Sequence, residues 1–146
     1  MKTVKFLFVL MLAFAARSFA QTGADAILGK WESDKKDVQL EIFKQGDKYY
    51  GRYLWGNQIV EKDGITSKKD TKNPDPKLRS RNLIGSTSLT DLKWNGEEYV
   101  DGKIYNAPSG DTYKCKAWIN DGKMNLRGFM GVSLLGKTAV FHRYNK

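Results

Sequence analysis

Most of the chain beyond residue 36 consists of short stretches in which apolar and polar residues alternate. Val38, Leu40 and Ile42 share one face while Gln39 and Glu41 take the other. Val100, Gly102 and Ile104 stand opposite Asp101 and Lys103, and Met124, Leu126 and Gly128 opposite Lys123, Asn125 and Arg127. A period of two sends alternate side chains to opposite faces of a strand, so these stretches predict half-buried β-strands. Between them sit Gly46-Asp47, Asp63-Gly64, Asn95-Gly96, Ser109-Gly110 and Asp121-Gly122, pairs that tolerate the positive backbone angles of tight hairpins. The pattern predicts eight strands, near 28–33, 37–45, 48–56, 87–94, 97–105, 111–119, 123–130 and 137–144, with a further short hairpin around Asp63-Gly64. Only Ala24 to Leu28 carries an apolar spacing of helical period. An all-β, antiparallel, up-and-down meander of this size hides both of its edges by closing into a single eight-stranded barrel.

The first twenty residues follow a different rule. Met-Lys-Thr-Val-Lys leads into an apolar run of 11 residues, Phe6 to Ala16, and then to Ser18 and Ala20. A basic start, an apolar stretch and small residues before a cut describe a secretory signal peptide, and the run is well short of the ~20 residues a membrane-spanning helix needs. The expectation is an exported protein, periplasmic or secreted, cleaved near Ala20 and not membrane-spanning, with 21–146 as one domain. No Cys follows the cut to carry a lipid anchor.

Charge then narrows. The whole chain carries +9, and losing Lys2, Lys5 and Arg17 leaves +6. One Cys and one His exclude a disulfide framework and a multi-histidine metal site, and the sequence implies no metal and no cofactor. Cys115 lies on an alternating strand whose flanking lysines point the opposite way, which reads as a buried, inert thiol. His142 has no partner identifiable by spacing.

Gly29-Lys30-Trp31 near the first strand and Arg143 on the last resemble the calycin barrels, the lipocalins, avidins and fatty-acid-binding proteins. That resemblance implies that Trp31 closes one end and that Arg143 lies across its ring, a contact favoured by cation–π attraction. A closer resemblance covers nearly the whole mature chain. It runs through Asp25 to Trp31, Tyr49 to Trp55, Asn73-Pro74-Asp75-Pro76-Lys77-Leu78-Arg79-Ser80-Arg81, Asp101 to Tyr105 and Gly131 to Gly136. These segments resemble the bacterial secreted family named domain of unknown function 2147. Two positions depart from it: Asn82 stands where a Pro is usual and Phe141 where a Trp is usual. The resemblance implies a calycin-like barrel and no mechanism.

The long connection at about 57–86 is where chemistry can sit, because loops of this length in compact domains often bind or cover ligands. Residues 68–81 hold six Lys and Arg against Asp70 and Asp75, so four of the six excess charges fall there. Pro74 and Pro76 stiffen the stretch. Two readings stand together. In one, Arg79 and Arg81 clamp an anion between the aromatic walls Tyr53 and Trp55, with Asp75 beside them. In the other, Asp70 and Asp75 pair with those arginines and the loop caps the barrel mouth. The function expected is a binding module for a small amphipathic or anionic ligand at the mouth. Alternatives are docking of an acidic envelope protein or glycan by the basic loop, or a small hydrolase or isomerase using Asp75 or His142. Nearby arginines favour the ionised carboxylate and so oppose acid catalysis by Asp75. Strand lysines that alternate with acids speak against nucleic acid as a partner. Oligomeric state is not readable.

Overall fold

The structure is a computed structural model that describes residues 23–131 and 136–146. The signal peptide expected at 1–20 lies outside the described residues. Eight strands run β1 (Gly29–Ser33), β2 (Val38–Gln45), β3 (Lys48–Gly56), β4 (Thr87–Trp94), β5 (Tyr99–Asn106), β6 (Asp111–Asn120), β7 (Lys123–Phe129) and β8 (Lys137–Arg143). Each pairs antiparallel with its neighbour in sequence, and β1 pairs with β8 to close the barrel. Closure leaves no strand edge exposed.

The turn pairs do what their residues allow. Asp121 and Gly122, at φ 51° and 72°, join β6 to β7 with nothing between the strands but themselves. Strand boundaries fall within one residue of the sequence pattern except at one point. Strand β5 starts at Tyr99, not 97, because the Asn95 carboxamide oxygen accepts from the backbone of Glu97 (3.0 Å) and Glu98 (2.8 Å), which keeps both in the turn.

Connections alternate between the two ends of the barrel, and the ends differ. At one end the 3₁₀ turn Gly23–Ile27 closes the opening. Tyr99 donates to Ala24 O (2.7 Å) and Trp31 donates to Ile27 O (2.8 Å). Arg143, the register partner of Trp31, lies over the indole with its guanidinium carbon 3.9 Å from the ring centroid, and donates to the carbonyls of Leu28 and Ala26. Gly29 at φ 113° leaves room for that guanidinium, since a Cβ there would come within 3.0 Å of it. The core continues inward through Ile27, Leu40, Ile42, Leu89, Leu92, Ala117 and Met124. Cys115 is buried within it, and burial pushes its thiol pKa up to about 12. At the other end the β1–β2, β3–β4 and β5–β6 connections converge beside the start of β8, and there the interior is not filled.

Candidate functional site

The period-two pattern builds the open end. Inward residues of β2, β3, β5, β7 and β8, namely Leu40, Tyr53, Ile104, Leu126, Ala139 and Phe141, form the walls of a cavity of about 310 Å³. Gly128 on β7 adds no side chain to this wall, which helps keep the space open. Around the lip stand Asp37, Asn57, Gln58, Asn106, Pro108 and Lys137. In depth the polar groups satisfy one another. Tyr53 donates to Tyr105 O (3.3 Å) and its oxygen is bonded by the Ser88 hydroxyl. Burial raises the Tyr53 pKa, so the phenol stays a neutral donor. No buried side-chain nitrogen or oxygen among the described residues lacks a partner. The base of the cavity is thus effectively apolar.

Lys137 and Asp37 are the charged residues of this lining. Lys137 alternates with Ala139 and Phe141 on the inward face of β8, and its ammonium has no ion pair or hydrogen bond among the described residues. Asp37 Oδ1 accepts from the Ser33 hydroxyl at 2.5 Å.

Beside the mouth the long loop is a built structure. Ile59, Leu83 and Ala107 form a small second core against Tyr53, Ile84 and Tyr105. A bridge between Val60 and Ser67 makes the short hairpin around Asp63-Gly64, and a second bridge joins Lys69 to Asn82. At the centre lies the fully buried carboxylate of Asp70. Its Oδ2 accepts from Arg81 Nε and Nη2, both at 2.9 Å, and from Asn73 Nδ2 at 2.8 Å; its Oδ1 accepts from Tyr105 Oη at 2.7 Å. A buried charge needs this degree of pairing and hydrogen bonding. Burial and the Asp70 carboxylate push the Tyr105 phenol up to about 12, keeping the proton on the donor.

The residues singled out from sequence separate in space. Tyr53 lines the cavity; Trp55, Asp75, Arg79 and Arg81 do not. Trp55 donates to Gly64 O (2.9 Å) and braces the loop hairpin. Asp75, extended at φ −84° and ψ 112° before Pro76, caps the short 3₁₀ helix Pro76–Leu78 by accepting from Lys77 N (3.0 Å). Arg79 donates to Asn73 O (2.8 Å), and Arg81 directs two of its donors to Asp70. Of the two aspartates expected to pair with these arginines, Asp70 pairs with Arg81 and Asp75 with neither. His142 has partners that spacing did not reveal: Nδ1 lies 2.9 Å from Asp34 Oδ1 and Nε2 3.3 Å from Glu32 Oε1, on the outer face away from the cavity lining.

The family model described as "Uncharacterized protein conserved in bacteria (DUF2147)" matches residues 29–143, all eight strands and the loop. The chain belongs to the DUF2147 family. Among solved structures it is similar to HP1028 of the human pathogen Helicobacter pylori, a protein described as belonging to the lipocalin family. The two are 29% identical over 82% of this chain and 83% of that one, with a TM-score of 0.70. No curated protein matches the chain. This DUF2147 barrel is therefore lipocalin-like in fold, with one stoppered end and one open cavity. Among its described residues no helix is long and apolar enough to cross a membrane.

Proposed function

We propose that this DUF2147 protein is an exported binding module, periplasmic or secreted, that holds a small amphipathic or anionic molecule in the barrel cavity. The observation that carries the reading is the contrast within the barrel: one end is packed solid around Trp31, while the other keeps a mostly apolar-walled space of about 310 Å³ whose charged residues, Asp37 and Lys137, stand at its lip. Packed interiors seldom leave so much room, and ligand sites are concave, mostly apolar and fringed by a few polar groups. In this reading Tyr53 touches the ligand, whereas Trp55, Asp75, Arg79 and Arg81 give the neighbouring loop its shape.

Native mass spectrometry of the protein purified from its own envelope tests the proposal. A co-purifying small mass, absent from an Ala139→Trp variant whose indole occupies the cavity, is the expected result. A bare monomer in both, or a mass that survives the substitution, would count against it.

The basic loop supports a second role. Lys72 and Lys77 are exposed and have no ion pair among the described residues, which suits docking of an acidic envelope protein or glycan. Salt-sensitive retention of such a partner, lost in the double variant Lys72→Glu and Lys77→Glu, is its signature.

A further inference from the structure

We infer that the ligand is an anionic amphiphile of about ten non-hydrogen atoms, bound tail first, with its negative headgroup on the ammonium of Lys137. The inference rests on the cavity reading above and adds orientation, charge and size.

Orientation follows from where the unsatisfied polarity lies. In the depth, Ser88 donates to Tyr53 and Tyr53 to the Tyr105 carbonyl, so neither hydroxyl keeps a proton to donate to an anionic group arriving there. Leu40, Ile104, Leu126 and Phe141 surround that region with hydrocarbon. A headgroup placed inside would lose its water without replacement, whereas a tail placed inside loses only unfavourable hydration. The head therefore stays at the lip, among Asn57, Gln58, Asn106 and Lys137.

The sign of the headgroup follows from the two charged lip residues. Asp37 Oδ1 is tied back to β1 by the Ser33 hydroxyl at 2.5 Å, with its charge retained, and it forms no ion pair with Lys137. Lys137 is part of the cavity lining at the mouth, and its ammonium has no partner among the described residues. The neighbouring loop reinforces it: residues 68–81 carry a surplus of four positive charges, while the β1–β2 turn is balanced, with Lys35 and Lys36 against Asp34 and Asp37. An end of the molecule with this balance attracts anions and repels amines.

Size follows from volume. At ~30 Å³ for each water-sized group, 310 Å³ holds about ten. Octanoate has that size, and octanol is nearly its shape without the charge.

The test is equilibrium binding of octanoate and of octanol at neutral pH and low salt to the mature protein and to Lys137→Met and Lys137→Arg. Because Lys137 is solvent-exposed, its pairing with a carboxylate is worth about a fivefold preference for octanoate. That preference is expected in the natural protein, absent from Lys137→Met and kept by Lys137→Arg. Equal binding of the two probes, or a preference that survives Lys137→Met, overturns the assignment of Lys137 and leaves the cavity reading standing. Failure of both probes to bind the natural protein removes the cavity reading, and this inference with it.

Discussion

The carboxylate of Asp70 is buried beneath the guanidinium of Arg81, eleven residues later, with Nε and Nη2 both 2.9 Å from a single oxygen. This pair holds together the two halves of the long loop. Through Tyr105 it also fastens the loop to β5, one strand that walls the cavity. The loop beside the mouth thus keeps its shape through a buried electrostatic latch, not through length-dependent flexibility.

Removing one partner of a buried pair leaves the other charge uncompensated. Asp70→Asn is expected to lower stability by about 3 kcal/mol, the lower part of the range for such losses because Arg81 is partly solvated. Amide hydrogen exchange in the same variant should rise across residues 66–85 and remain slow in β6 and β7. Uniform exchange throughout the chain would show that Asp70 is not a local latch.

Gly110 supports the same loop from below. It sits at φ 79°, and a Cβ there would meet the Lys72 carbonyl at 2.3 Å; Gly64, at φ 73°, has open space around it. Gly64→Ala should cost about 1 kcal/mol, the penalty of the left-handed conformation alone. Gly110→Ala should cost clearly more, because the Lys72 backbone must also move. Equal urea midpoints for the two variants would contradict this packing.

At the stoppered end, Arg143 combines a stacked contact on Trp31 with donation to two carbonyls. Arg143→Met should lower stability by about 2 kcal/mol, from the cation–π contact and the charge-assisted hydrogen bonds. Arg143→Lys, which cannot donate as a planar fork, should recover only part of it. Urea denaturation of the two variants measures the difference.

Asp34 titrates below the ordinary carboxylate range, because Lys123 and then His142 donate to it. A carboxylate with a lowered folded pKa stabilises the fold above its unfolded pKa, and that stabilisation is lost as the pH falls through the folded value. The loss therefore occurs below about pH 4. Between pH 5 and pH 3 the urea midpoint of the natural protein should fall further than that of Asp34→Asn. Parallel falls would show that this pairing does not contribute.

The sequence made the barrel readable because every strand repeats one rule, apolar in and polar out, and every tight turn carries residues suited to positive φ. The relation of Trp31 to Arg143 was readable through resemblance, and closure of β1 on β8 makes the two register partners. The site was harder to read. Inward positions of β8 are Lys137, Ala139, Phe141 and Arg143, a mixed series in which no period separates the inner face from the outer. Only pairing of Lys137 with Gly128 places that lysine at the mouth. A count of charges likewise finds the basic loop but not the use of Arg81, since a guanidinium bound to a buried Asp70 and one free in solvent contribute the same +1. By sequence Tyr53 is a neighbour of the loop alongside Trp55, Asp75, Arg79 and Arg81, and it is the member of that set that lines the cavity.

The cavity as the binding site is tested most directly by two-dimensional amide and methyl NMR during titration with octanoate. The expected perturbations are saturable and centred on Tyr53, Leu126, Ala139 and Phe141, with the largest lip response at Lys137. Perturbations confined to Lys72, Lys77 and Arg79 on the loop, or none at all, would contradict it.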